Sequence, residues 1–474
     1  MAEILIDAQP GETRIALVED GRLAEVEVAR RDALSAVGDI YLGRAEAVLP
    51  ALDAAFIDIG LERSGFLALP EARPYGAEGG DDGIGDYVGE GDKVLVQVQR
   101  DPFQDKGAKL TTHITLPGAV LVMTPERPGI GLSKRIAGEE ARGRVRARIQ
   151  DLAGDGFIAR TAAAEAGEEA IGRDLAALRD AWAEIDAKRA RAKAPARLHA
   201  ELDPVLRWLR DAGAPERIVI DDSGILARAR AYAERLRPEL ADRLHHHSGS
   251  APLFEAHGIE EQIDAALDPA VALSGGGGIV IEETRALTAI DVDTGAGGSR
   301  GGREEAALRT NVEATGEIAR QVRLRNLAGL LVVDFVSMRR RDHGRRVLEA
   351  LRQALALGPC YPQVTGFTRL GLVEMTRRRR RPSLAEVLRG RDSGGPLKSA
   401  LTVAFDVLRA VGREARAMPG AALGVTAAPD VIQALQGAAG DALAAAELRL
   451  GRPLGLTPDP ARPREGFHVA AGDG

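Results

Sequence analysis

At 474 residues the chain has room for about three domains, and 45% hydrophobic with 28% charged residues is the composition of a globular protein with sizeable cores. A net charge of −7 excludes a polycation that coats nucleic acid everywhere, so any such contact must use local basic surface. One cysteine, Cys360, excludes a disulfide framework and a multi-cysteine zinc site within one chain. The amino terminus carries acids where a secretory signal needs basic and then apolar residues. No apolar run approaches the ~20 residues of a membrane span, so a cytoplasmic protein is expected.

In chain order, Ile4–Ile6, Thr13–Glu19 and Leu23–Ala29 read as strands, the last two around an Asp20-Gly21 hairpin turn. Further short strands at Ile40–Leu42, Ala54–Ile59, Gly65–Leu69 and Val94–Val98 suggest a small barrel. A loop of glycines and acids, Tyr75–Asp92, interrupts them and reads as mobile. A mixed region follows and ends in the helical stretch Asp174–Ala212. The strand Arg217–Asp221 and helix Ile225–Leu236 resume the style of the beginning, so the barrel would be inserted into a discontinuous domain. Residues 270–389 are α/β, Gly390–Pro396 a linker and 397–474 a small α/β tail.

Two strand-like segments each deliver an aspartate: Ala289-Ile290-Asp291-Val292-Asp293 and Leu331-Val332-Val333-Asp334-Phe335. Both runs have the β-branched apolar pattern of a buried strand, where a desolvated acid must be neutralised, hydrogen-bonded or paired with a cation. Alternation puts Leu287, Ala289, Asp291 and Asp293 on one face, and Asp334 falls at the carboxyl edge of its run. One or two carboxylates with waters and a substrate phosphate suffice for Mg²⁺. The competing account makes them strand-end acids that cap helices.

The intervening helix Glu304–Leu324 has Leu308, Val312, Ile318 and Val322 near helical spacing, with Arg309, Arg320, Arg323 and Arg325 elsewhere. Arg339–Arg341 follow Asp334, and Arg377–Arg381 follow Glu374. Such runs are ordinarily a solvated face; beside paired acids they also suit phosphate, and the combination describes phosphodiester chemistry. Phe56, Phe66 and Lys106 fit a base-stacking platform, though core packing is the commoner use of two phenylalanines. The loop Gly129–Arg135 with Arg160-Thr161 fits an anion pocket, weakly on these residues alone. No GxxxxGK[ST] occurs, Gly275–Gly278 precede a strand as a loop would, and His245–His247 read as exposed loop.

The strings Thr288–Gly295, Thr310–Ala314, Ile318–Leu327, Val333–Phe335 and Gly371–Arg377 resemble the ribonuclease E/G family, almost end to end with the rest of the chain. Asp39–Leu69 resembles that family's inserted OB-type barrel. The resemblance implies an α/β multidomain fold. An RNase H-like subdomain (1–36 and 205–270) would be split around an OB-type RNA-binding barrel (37–112) and a 5′-end sensor (113–204). A DNase I-like α/β catalytic subdomain (271–389) and a small C-terminal α/β domain (397–474) would follow.

By the same resemblance, Asp291 and Asp334 fall on Mg²⁺-binding catalytic aspartates, with Asp293 as a third site residue. Phe56, Phe66 and Lys106 match RNA-contacting positions of the barrel. Arg160 and Thr161 match a 5′-monophosphate pocket faced by Gly131 and Leu132. The implied activity is Mg²⁺-dependent cleavage of single-stranded RNA (mRNA, rRNA precursors) in processing and decay, leaving 5′-monophosphate and 3′-hydroxyl ends. Two departures stand out. Asp293 replaces the family's usual asparagine, and no cysteine follows the Arg-rich run where the family has its CPxCxG zinc link. No structural zinc is expected, and any homodimer would form without that link. The rival is a catalytically weak RNA-binding paralogue that holds transcripts or recruits partners.

Overall fold

A computed structural model describes residues 2–471, apart from 32–34, 78–79, 103–105, 137, 155, 250, 296–301, 357–361, 380 and 391–394. Cys360 and most of the expected linker fall outside the described residues. The chain is an α/β protein of two compact units, one of Met1–Leu34, Glu216–Asp222 and His246–Gly474, the other of Ser35–Pro215 and Ser223–His245.

The first unit opens with strands Ala2–Gln9, Glu12–Glu19 and Arg22–Arg30 in an antiparallel meander, and Arg217–Ile220 joins the first of them in parallel. Asp20 and Gly21 both take positive φ, 50° and 77°, the turn whose twist matches the two strands it joins. Leu5, Ala16, Leu23 and Val26 bury one face of this sheet against Phe254, Ile259 and Ile263.

A six-stranded sheet follows in the order Ala270–Ala272, Gly278–Glu283, Thr288–Asp293, Gly329–Asp334, Val373–Arg377, Gln363–Phe367. Strand Thr288–Asp293, helix Arg303–Leu324 and strand Gly329–Asp334 form a β-α-β unit, which accounts for the parallel pairing of the two strands. Ile279, Ile290, Val292, Leu331 and Val333 pack on Leu308, Ile318 and Val322 of that helix and on Val347 and Leu351 of helix Arg341–Leu355. The helix stripe differs from the expected one. Val312 is exposed, and Asn311 and Thr315 are buried instead, because they continue the i, i+3, i+7 line from Leu308. Further on, Ser383 and Glu386 form a capping box that starts helix Leu384–Arg389, in the segment where the family resemblance had placed a zinc link. The tail packs helices Ala400–Ala417, Pro429–Gln436 and Gly440–Leu450 with a three-stranded sheet centred on Leu423–Ala427.

In the second unit, strands Ile40–Leu49, Ala54–Asp58, Gly65–Ala68, Lys109–Thr111 and Lys93–Arg100 close into a barrel, the last pairing back onto the first. The barrel is tight: a Cβ at Gly43 or Gly65 would lie 2.4 Å from Ile57 or Leu110 respectively. The loop Tyr75–Asp92 is more anchored than expected. Ile84 and Val88 are buried, and Asp82 accepts hydrogen bonds from Arg73 and Tyr87. Beyond the barrel lies a four-stranded sheet with helices Glu139–Ala153 and Glu168–Arg191. Buried Asp174 accepts three backbone N–H bonds from Ala119, Val120 and Leu121, and so fixes the turn after Gly118. The expected helical stretch Asp174–Ala212 is in fact divided into helix Glu168–Arg191, strand Ala196–His199 and helix Pro204–Asp211. Lys193-Ala194-Pro195 interrupts it, since proline disfavours helix at the residue before it.

Candidate active site

Asp291 and Asp334 are register partners on adjacent parallel strands, so their side chains leave the same face of the sheet about 5 Å apart at the backbone. Ile290, Val292 and Val333 are held down by the helices. Alternation then forces Asp291, Asp293 and Asp334 to the opposite face, where all three are exposed. The expectation of desolvated acids in doubly buried strands is therefore corrected. These strands alternate strictly, and the carboxylates meet water. That suits a hard divalent cation, which takes oxygen ligands and keeps several waters. Among the described residues no cluster of three or more such ligands is found.

Asp293 behaves differently from its neighbours. Its Oδ1 accepts the Gly295 N–H at 3.0 Å, which makes it a turn former. Asp293 thus forms a turn and caps no helix among the described residues, while Asp291 and Asp334 accept no hydrogen bond there. Glycines shape this corner. A Cβ at Gly277 would lie 2.4 Å from the Asp293 carbonyl oxygen, and Gly295 takes φ +65° against the Gly276 carbonyl. Glu313 accepts the Gly275 N–H at 2.9 Å. Gly275–Gly277 are thus a loop, as expected, which lets the chain close on the Asp293 turn, while Gly278 already belongs to strand Gly278–Glu283.

Three supporting residues escaped the sequence. Fully buried Asn311 donates Nδ2–H to the Val336 carbonyl at 2.8 Å and accepts the Val336 N–H at 3.0 Å, pinning the segment after Asp334. Glu304 accepts the N–H groups of Arg339 and Arg340, and these hold its carboxyl below the usual range. Glu313 is the third. Only Asn311 left a signal, a polar residue on the buried stripe of its helix.

The arginines are mostly spoken for. Arg320 pairs with Glu317 and donates to the Leu23 carbonyl, Arg323 pairs with Glu19, and Arg325 bonds Gln321 and the Asp268 carbonyl. Arg377 donates to Asn326 and Leu327, Arg379 pairs with Glu386, and Arg381 with Glu27. The expected ring of phosphate-collecting arginines is thus corrected: most of these guanidinia tie segments of the first unit together. Arg339 and Arg341, just past Asp334, are exposed.

In the barrel, Phe56 and Phe66 face each other across neighbouring strands, rings 5.9 Å apart and edge-to-face, both half-buried. They belong to the barrel's outer surface and not its core, since Ala55, Ile57 and Leu67 face inward. Lys106 is exposed, and the next residue, Gly107, runs so close to Ser64 that a Cβ would lie 2.0 Å from its carbonyl oxygen. Lys106 therefore lies beside the start of the Phe66 strand.

Gly131 and Leu132 lie on a short strand paired with Phe157–Ala159, whose end leads into Arg160 and Thr161. Thr161 Oγ1 is 3.1 Å from Ser133 Oγ. Arg160 donates to the Gly118 carbonyl and pairs with Asp211 at 2.7 Å. Burial acts to raise the Asp211 carboxyl, but Arg210 and Arg160 outweigh it and hold it below its usual range. His245 and His246 are exposed at the end of a short strand, Leu244–His246, and not in a loop.

Fold and site define an α/β multidomain protein with a two-aspartate candidate metal site on an open sheet face and a closed five-stranded barrel. The profile of the Ribonuclease E/G family matches residues 115–380. Ribonuclease G of Salmonella typhimurium is 36% identical over 99% of this chain and 99% of its own. Ribonuclease G of Haemophilus influenzae is 39% identical over 86% of this chain and 87% of its own, and ribonuclease E of a Nostoc species 41% over 74% and 52%. The chain belongs to the ribonuclease E/G family. Among the described residues no helix is long and apolar enough to cross a membrane.

Proposed function

We propose that this chain cleaves single-stranded RNA internally with Mg²⁺ held by Asp291 and Asp334, leaving 5′-monophosphate and 3′-hydroxyl ends. That it is an endoribonuclease, a hydrolase acting on RNA, follows from its family. The observation that carries the cation is the register pairing of Asp291 with Asp334 on an exposed face. When bound, the cation would supply an activated water and neutralise charge developing on the phosphate. The aspartates offer it oxygen ligands from two strands fixed by one β-α-β unit. Asp293 orients the corner through its turn, while Arg339 and Arg341 offer guanidinia to the scissile phosphodiester.

Phe56 and Phe66 stack bases and Lys106 meets the backbone, which fits transcripts and rRNA precursors alike. Arg160 and Thr161, faced by Gly131 and Leu132, receive a terminal monophosphate, which must compete with Asp211 for the Arg160 guanidinium. Residues 1–36 with 205–270, 37–112, 113–204, 271–389 and 397–474 are assigned to the RNase H-like, OB-type, sensor, DNase I-like and C-terminal subdomains. Any pairing of two chains would rest on protein surface. The rival, a weak RNA-binding paralogue, is favoured by the commitment of Asp293 to a turn and of Arg160 to Asp211. The deciding experiment is Mg²⁺-dependent cleavage of a 5′-monophosphorylated A/U-rich oligonucleotide. Internal cuts that vanish on chelation support the enzyme, and binding without cleavage supports the rival.

A further inference from the structure

We propose that Asp7 and Asp221 form a second divalent-cation site, in the amino-terminal sheet and apart from Asp291 and Asp334. Asp7 lies near the end of strand Ala2–Gln9 and is 1% exposed. Among the described residues its Oδ1 has no hydrogen-bond partner. Buried carboxylate oxygens are rarely left so, because the lost hydration must be replaced by a donor or a cation.

Asp221 follows the parallel neighbour, strand Arg217–Ile220, where Ile6 pairs with Ile220, so continuing the register sets Asp221 opposite Asp7. Its Oδ1 accepts the Ala8 N–H at 2.8 Å, and its own N–H donates to the Ile6 carbonyl at 3.2 Å. Two backbone bonds thus clamp Asp221 on either side of Asp7.

The cations nearby make their hydrogen bonds elsewhere. Arg14 is the register partner of Asp7 on strand Glu12–Glu19, yet its guanidinium bonds Glu12, Glu260 and Asp406. Arg416 bears on Asp221 but donates Nε–H to the Gly412 carbonyl, and Arg449 reaches Asp222 instead.

The donors are all oxygen, with the Gln9 amide on the same face two residues on, which selects a hard cation such as Mg²⁺, Mn²⁺ or Ca²⁺. Asp221 is half-buried, so a cation with its waters has a route in from that side.

Mn²⁺ is the probe. Its binding to the full chain is counted by electron paramagnetic resonance for wild type, for Asp7→Asn and for Asp291→Asn combined with Asp334→Asn. Asp7→Asn should lose one ion per chain, or bind it at least about tenfold more weakly. The double variant should keep that ion, and Mn²⁺ should raise its melting temperature but not that contributed through this site in Asp7→Asn. If Asp7→Asn does not fold, Asp221→Asn takes its place with the same expectation. Equal ion counts in wild type and in the folded variant would overturn the proposal and leave a proton shared between the two carboxyls as the explanation.

Discussion

Asp291 and Asp334 show how core packing decides where an acid is placed. Both end up on the solvent face because the residues flanking them belong to the core, and pairing follows from parallel register. Asp291→Asn or Asp334→Asn should lower cleavage at least about a hundredfold while leaving RNA affinity largely intact, since phosphate contacts elsewhere carry binding. Single-turnover cleavage alongside a binding titration checks it; activity within about tenfold of wild type would remove these residues from the site. At Arg160 the competitor is internal. Arg160→Ala should erase any preference for 5′-monophosphorylated over 5′-hydroxyl RNA, whereas Asp211→Asn, which frees the guanidinium, should sharpen it. The ratio of the two cleavage rates tests both, and an unchanged ratio in Arg160→Ala would count against the sensor assignment.

At the scale of elements, the helix Arg303–Leu324 both covers the sheet and holds the loop after Asp334 through Asn311. Asn311→Ala leaves the Val336 N–H and carbonyl without their partner and should cost about 1–3 kcal/mol. Because those bonds orient the segment carrying Asp334, the turnover rate should fall while RNA affinity holds. Denaturant melts and kinetics on the same preparation separate the two effects; a purely structural role would lower stability and leave turnover of the folded fraction unchanged. The corner loop gives a second handle. A Cβ at Gly277 would meet the Asp293 carbonyl oxygen at 2.4 Å, so Gly277→Ala should displace the Asp293 turn and slow cleavage. Wild-type rates in that variant would show the turn to be incidental.

Within the first unit a buried charge network centres on Glu12. Glu12 is fully buried and bonded by Arg14, Arg30 and Arg409, which join the amino-terminal sheet to helix Ala400–Ala417. Burial alone would raise the Glu12 carboxyl, but the three guanidinia outweigh it and hold it far below the usual range. Glu12→Gln removes the carboxylate that Arg14, Arg30 and Arg409 share and should cost about 3–5 kcal/mol, read as a loss in denaturant midpoint. A midpoint unchanged from wild type would mean water reaches the network.

Asp221 gives the opposite sign. Burial, and after it the charge of Asp7, pushes its carboxyl from the ordinary 3.8 up to about 7, so between those values the folded state holds the extra proton. Without divalent cation, the contribution of Asp221 to stability is therefore fully present below about pH 4 and is lost as pH rises through about 7. Melting temperatures in chelator across that range should fall less steeply for Asp221→Asn than for wild type. Parallel slopes would show that Asp221 is not the group responsible.

Local pattern was enough for much of this protein. Alternation fixed which face of Thr288–Asp293 carries the acids, Asp20-Gly21 fixed the first hairpin, and Asp334 at the end of an apolar run fixed the carboxyl edge, because each depends only on near neighbours. Which arginines are free was decided elsewhere. Arg323 meets Glu19 and Arg381 meets Glu27 across hundreds of residues, and no spacing in the chain foretells such partners. The same holds for the exposure of Asp291 and Asp334, set by helices packing on one face only. It holds too for Asn311, whose burial contradicts its polarity until Val336 is beside it. Asp7 is the sharpest case: among short apolar residues it reads as one acid in a strand, and only the strand that arrives from Arg217–Ile220 turns it into half of a buried pair. Periodicity is a property of the chain, whereas charge neutralisation is a property of what the fold brings alongside.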